Sequence, residues 1–287
     1  ERGSDDFWRA LFASQRLCVS RRGRAATSVR RIVTTEETQG KEMTPQQDIR
    51  CREISIQIGL NGFSFVVFDL DPAGFGGEAI VRAVAYRETD MAAMLLNEPM
   101  LTALEPPLGR VFVGCSTDNV LLVPQPLFEP ERAEQYLVAA NMYVPEMTTL
   151  SNNLLSAQAA AVWQVDAGLA AGLLQLYPGA LFYHPLLLEL EATPANHVQA
   201  ILDGDLVHLT ICNDRLYAAE TLRADTPEEL LYYIQRLAKR DGFTAYRLIL
   251  TGDGAGRFRS FFEPYFSDVE VREVRFYNHQ RIREICG

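Results

Sequence analysis

From His197 to Val274 the chain alternates short apolar runs with turn and cap signals in an order that few architectures accommodate. Three runs, Val198–Leu202, Leu206–Cys212 and Leu216–Leu222, alternate in polarity as strands do, and Asp203-Gly204-Asp205 between the first two supplies the backbone freedom of a tight hairpin. Thr226-Pro227-Glu228-Glu229 reads as a helix start, with a hydroxyl cap, proline at the first helical position and a capping-box glutamate. Leu230, Leu231, Ile234, Leu237 and Ala238 then share one helix face, and Asp241-Gly242 ends it. A short apolar strand over 246–251 runs into Thr251-Gly252-Asp253-Gly254. A helix follows from about Gly256 to Pro264, carrying Phe258, Phe261, Phe262 and Tyr265 at i, i+3, i+4 and i+7, which reads as a buried face. A last strand covers 269–274. The predicted order is β-β-β-α-β-α-β.

The earlier half of the chain repeats that order. Ile54, Ile56 and Ile58 alternate with Ser55 and Gln57, Asn61-Gly62 signals a hairpin, and Phe63–Leu70 returns. A third strand over 79–86, a helix over 92–104 interrupted near Pro99, strands at 111–115 and 119–123 and a helix from Pro130 follow, with 160–165 as a closing strand. Two alike halves predict two lobes around a central cleft. The expected division is an extension over 1–50, lobe I over 51–165, a connecting and covering segment over 166–195 that holds a strand near Leu181–Tyr183, and lobe II over 196–287. The tail from Asn278 to Gly287 shows no periodic pattern.

A duplicated unit of this kind resembles the actin-like, ribonuclease-H-type fold of actin, sugar kinases and the Hsp70 ATPase, over Arg52 to about Val274. Ile58-Gly59-Leu60-Asn61-Gly62-Phe63-Ser64-Phe65 also resembles an uncharacterised bacterial family of that fold. More distantly, the layout is similar to the actin-like assembly proteins of type IV pili and the cytoplasmic domain of type II secretion platforms, which act as scaffolds. In actin-like ATPases two hairpins cradle phosphate and a glycine turn in the second lobe holds adenosine. Carried over, the resemblance implies candidate nucleotide-binding residues at Gly59, Asn61 and Gly62 (first hairpin), Asp203, Gly204 and Asp205 (second hairpin), and Gly252, Asp253 and Gly254 (adenosine turn). The first hairpin, Gly59-Leu60-Asn61-Gly62, departs from the family's Asp-x-Gly-Thr pattern because it offers no carboxylate. Phosphoryl transfer needs magnesium held by carboxylates and positive charge near the phosphates. The only lysines are Lys41 and Lys239, and neither falls in a candidate loop.

Charge and cysteine usage narrow the field further. The chain carries a formal net charge of −10, which argues against a general nucleic-acid binder. The excess is uneven: residues 1–42 are net +3 and the remainder net −13. Those first residues, with Arg21-Arg22-Gly23-Arg24 and Arg30-Arg31 among Ser, Thr and Ala, read as a disordered basic extension upstream of a start at Met43. A second reading is a short amphipathic targeting helix around Phe7, Trp8, Leu11 and Phe12. Five scattered cysteines without a C-x-x-C argue for a reducing, cytoplasmic setting and against a zinc site or disulfide framework. His184, His197, His208 and His279 lack metal-ligand spacing and read as ordinary surface or core histidines. Ser116-Thr117-Asp118 follows a strand with no identifiable base. Gly252 to Gly256 leads from strand to helix, where an anion could be received. No apolar run reaches the roughly 18–20 residues of a membrane span. The expectation is a non-catalytic actin-like scaffold or adaptor with a protein partner, no catalytic residues, no metal site and no cofactor. The alternative is an actin-like protein holding Mg-ATP in its cleft, with weak or no hydrolysis.

Overall fold

A computed structural model describes residues 51–60, 62–70, 76–85, 91–104, 108–154, 158–189, 196–212, 216–240, 247–274 and 277–286. The expected extension over 1–50 and Asn61 lie outside the described residues.

The meander β1 (Cys51–Ile58), β2 (Gly62–Leu70) and β3 (Gly76–Ala85) forms because β1 and β2 alternate in step, Ile56 pairing with Phe65 and Ile54 with Val67. One face of β1 and β2 is Ile, Phe and Val and enters the lobe I core. The other face carries Glu53, Ser55, Gln57 and Ser64, and the β1 residues there are buried as well. The helical stretch is broken as expected: α1 (Met91–Leu96) and α2 (Pro99–Thr102) are separated where Glu98 caps Met100 ahead of Pro99. β4 (Leu108–Cys115) then lies parallel to β1.

Lobe II follows the sequence reading closely. It comprises β9 (His197–Asp203), β10 (Leu206–Cys212), β11 (Leu216–Arg223), a helix over Pro227–Arg240, β12 (Arg247–Gly252) and β13 (Asp268–Arg272). The capping box is made as drawn: Thr226 Oγ1 accepts from the Glu229 N–H at 3.2 Å, and the Glu229 carboxylate accepts from the Asp225 and Thr226 N–H groups. The aromatic stripe divides. Phe258 and Phe262 are core, Phe261 is half-buried and Tyr265 faces solvent, because the stretch is a 310 turn over Ala255–Phe258 followed by only one α turn.

The duplication is expressed in strand order. Lobe I runs β3-β2-β1-β4-β8, where β8 is Leu181–Tyr183, and lobe II runs β11-β10-β9-β12-β13. Here the expectation needs correction. The fifth strand of lobe I is β8 (Leu181–Tyr183), parallel to β4, and not 160–165. Lobe I's sheet therefore reaches into the stretch that the sequence reading assigned to a connecting segment.

Between β4 and β8 the chain inserts a third sheet, order β5-β7-β6, from β5 (Val120–Pro124), β6 (Met147–Leu154) and β7 (Ala159–Asp166). A helix, α3 (Ala133–Ala139), covers one face. β7 is buried on both sides: Ala160 and Val162 join Leu137 in the insert's own core, while Ala161, Trp163 and Val165 join lobe I. β6 had little apolar signature because, Leu150 apart, its buried positions are Thr149, Ser151 and Asn152. Asn152 accepts from Trp163 Nε1–H at 3.1 Å and donates to the Phe182 carbonyl at 3.1 Å, and Thr149 Oγ1 accepts from Gln164 Nε2 at 3.3 Å.

α4 (Ala167–Leu176) returns the chain to β8, its first turn capped by Asp166. The last element, α7 (Tyr277–Cys286), is numbered after α5 (Pro227–Arg240) and α6 (Arg259–Phe262). It leaves lobe II and docks on lobe I, with Ile282 in the lobe I core. No helix among the described residues is long and apolar enough to cross a membrane.

Candidate functional site

The two lobes meet around a cleft of about 330 Å³. Its walls are the β1–β2 hairpin, Ser116 beyond β4, the β9–β10 hairpin, the end of β12 and the start of α7. Of the residues singled out from sequence, Gly59, Gly62, Asp203, Gly204, Asp205, Gly252 and Asp253 all line this cleft. Three turns spread over more than 190 residues of sequence thus face one space. Gly254 is not among the lining residues.

Each turn has its own local cause. Gly59 N–H donates to the Gly62 carbonyl at 2.9 Å, closing the first hairpin. In the second, Asp203 pairs with Leu206, leaving Gly204 and Asp205 as a two-residue loop with Gly204 at φ +62°. Gly252 is compelled twice over. Its φ is +121°, and a Cβ there would lie 2.5 Å from the Leu202 carbonyl oxygen, so only glycine lets β12 finish against β9.

Asp203 is the centre of the site. Its Oδ2 accepts from the Ser116 hydroxyl of lobe I, from Asn278 Nδ2 of α7 at 3.2 Å and from His208 Nε2 of its own lobe at 3.3 Å. Burial alone would raise the carboxyl, but the His208 hydrogen bond and charge, with the Ser116 hydroxyl, outweigh it and hold Asp203 below the usual carboxylate range. One carboxylate oxygen therefore joins three parts of the molecule.

A shell of buried histidines surrounds it, and all four histidines are core rather than surface. His208 is bracketed by Asp203 and by Thr221 Oγ1, 2.9 Å from Nδ1. The His184 ring stands edge-on to it at 5.4 Å. His184 Nε2 lies 2.9 Å from the Thr117 carbonyl and so carries the proton, while Nδ1 accepts from the Leu186 N–H. Burial first, then repulsion from His208, lowers His184 to about 3. His279 bridges Ser55 Oγ and Ser64 Oγ, each at 2.8 Å, and burial brings it to about 3 despite the opposing pull of Asp203. Both imidazoles are neutral at pH 7.

Ser116, Asp203 and His208 look at first like a hydrolytic triad, but the wiring is wrong. The serine proton goes to the carboxylate and the imidazole faces that same oxygen, so no base is positioned to activate the hydroxyl. Cys115 is fully buried and its thiol is pushed well up by desolvation, which leaves it inert. Asp118 makes an exposed ion pair with Arg223 at 2.9 Å. The anion position expected near Gly256 is filled from within: Gly256 N–H donates to the Glu273 carboxylate at 3.2 Å, and a Cβ on Gly256 would collide with it.

Sequence reasoning missed Ser116, Asn278, His279, Ser55 and Ser64. The available signal was Ser55 and Gln57 in the polar phase of an isoleucine strand, a face that had to be covered by something polar.

Comparison with known proteins gives the family. A model described as protein of unknown function (DUF3822) matches residues 41–242. The chain belongs to that family. The DUF3822 chain is similar to a Bacteroides thetaiotaomicron VPI-5482 protein with actin-like ATPase fold and unknown function, at 17% identity, over 81% of this chain and 95% of that one, with a TM-score of 0.69. The cytoplasmic domain of EpsL, an inner membrane component of the type II secretion system of Vibrio cholerae, aligns at 13% identity, 82% and 94% coverage and a TM-score of 0.48. The ethanolamine utilization protein EutJ from Carboxydothermus hydrogenoformans aligns at 8%, 77% and 84%, with 0.37. No curated protein sequence matches. The first structure, with the doubled strand order, establishes the actin-like ATPase fold.

Proposed function

We propose that this DUF3822 protein is a non-catalytic actin-like adaptor that works by binding another protein. The observation that carries the reading is the composition of the cleft. Asp203, Asp205 and Asp253 line it, and no lysine or arginine is among the described lining residues. Among the described lining residues a triphosphate would meet three carboxylates and no lysine or arginine, the reverse of what phosphoryl transfer needs. Asp203 is also occupied in holding lobe to lobe. Exposed Leu127, Val138, Tyr232 and Tyr265 offer apolar footing on the outer surface for a partner. A cytoplasmic setting belongs to the same reading.

The alternative, Mg-ATP in the cleft with weak or no hydrolysis, draws support from the convergence of the three turns on one space. Thermal unfolding of the full chain with and without millimolar Mg-ATP separates the two. A ligand at 100 times its dissociation constant would add about 2.7 kcal/mol. The adaptor reading expects no shift, and a shift abolished by Asp203→Asn would replace it with the nucleotide reading.

A further inference from the structure

We propose that α7 is a strap across the cleft, helical only while docked, whose melting and the loosening of the lobe contact are one event. The inference goes beyond the adaptor reading and does not depend on what the cleft takes.

Consecutive residues of the first turn of α7 reach opposite lobes. Asn278 donates through Nδ2 to Asp203 of lobe II at 3.2 Å. His279 lies between Ser55 of β1 and Ser64 of β2, each hydroxyl oxygen 2.8 Å from a ring nitrogen. Three residues on, and on the same helix face, Ile282 is fully buried in the lobe I core. Tyr277, Asn278 and His279 also form part of the cleft wall. The strap thus grips lobe I with two side chains and lobe II with one, beside the space between them. Ser116 and Asn278 donate to the same Asp203 oxygen, so a movement of lobe II that stretches one bond stretches the other.

Local sequence does little to sustain this helix. It has ten residues, and isolated helices shorter than about 12–15 residues are marginal in water even when rich in alanine. α7 contains no alanine and opens on Tyr277, Asn278 and His279, all weaker helix formers. Its first turn holds no acidic residue to meet the positive end of the helix dipole. α5 is the contrast, with fourteen residues, a capping box, and Leu230, Ile234 and Leu237 buried in its own lobe. Among the described side chains of α7, Ile282 is the one buried apolar anchor, and the other buried grips are polar. Once those hydrogen bonds part, water satisfies the freed groups and the helix loses its support.

Hydrogen exchange of the full chain, read on the backbone amides of Tyr277–Cys286, tests the strap. Ser55→Ala with Ser64→Ala removes the lobe I grip and should speed α7 exchange about tenfold. Should the pair loosen β1 itself, Ser64→Ala alone, expected at about threefold, carries the same test. Ser116→Ala alters the lobe contact but none of the strap's own hydrogen bonds, and should still speed α7 exchange about threefold through Asp203. Thr226→Ala, which breaks the α5 capping box inside lobe II, should leave α7 exchange unchanged. Three results would overturn the proposal. Indifference to the serine substitutions would mean that α7 keeps its helix without the lobe I grip. Indifference to Ser116→Ala would mean that α7 frays apart from the lobe contact. An acceleration by Thr226→Ala as large as the others would mean that α7 melts only when the whole chain unfolds.

Discussion

In lobe I the fourth strand, β4, hands the chain to Ser116, whose hydroxyl crosses to Asp203 and opens into an inserted three-stranded sheet. In lobe II the equivalent strand, β12, ends at Gly252, which has no side chain and tucks beneath the Leu202 carbonyl. The strand order is shared, but one terminus provides a hydrogen bond between lobes and the other provides clearance within its lobe. Duplication preserved the topology, which is fixed by strand pairing and right-handed crossovers. It left the strand ends free to diverge, and the chemistry collects at those ends.

The strongest way to sharpen that contrast is acid, because buried neutral histidines pack around the lobe contact. His184 and His279 have folded pKa values lowered to about 3 from 6.5. The unfolded chain takes up their protons first, so their contribution is complete above pH 6.5 and falls as pH drops through 6.5 toward 3. Asp203, also depressed, loses its share in the same direction at lower pH. Two such groups together should cost about 4 kcal/mol between pH 7 and pH 5. Urea unfolding across that range measures it, and a pH-independent midpoint would refute the neutral histidine contact.

Next is Gly252→Ala, expected to cost about 3 kcal/mol because positive φ and a backbone collision add. Gly254→Ala, at φ +73° with ordinary contacts around the new Cβ, should cost only about 1 kcal/mol. Equal losses in urea melts would mean that the close approach to Leu202 is not what fixes Gly252. Ser116→Ala should cost about 1–2 kcal/mol by taking one of three donors from Asp203, read by the same melts. The smallest effect is the pair Arg223–Asp118, exposed at both ends, where a double-mutant cycle should return about 0.5 kcal/mol or less.

Lobe II was legible nearly element by element because its signals are local. Thr226 and Glu229 cap a helix from three residues apart, and Gly204 turns a hairpin between its own strands. Lobe I was legible through β5 and the helix after Pro130, and its closing strand was misread. 160–165 looked like a closing strand, and it is a strand, but its apolar residues serve two cores while Leu181–Tyr183 closes the sheet. Three residues give too little pattern to show which sheet they join. β6 was invisible because Thr149 and Asn152 are buried through hydrogen bonds to residues 11 to 30 positions away along the chain.

The candidate site divides in the same way. Gly59, Gly62, Asp203, Gly204, Asp205, Gly252 and Asp253 could be named from turn chemistry and a family resemblance, since each sits in a local motif. That they share one cleft depends on the packing of two sheets.

By itself the sequence determined the repeated order of strands and helices, because periodicity, caps and turns are set by neighbours within a few residues. Only the tertiary structure decided that Asp203 is shared by Ser116, His208 and Asn278, and that a tail without periodicity is the helix joining the lobes. Those contacts span 5 to 87 residues and are polar, so no hydrophobic repeat announces them. They form only where burial removes water and leaves each donor dependent on a partner from another element.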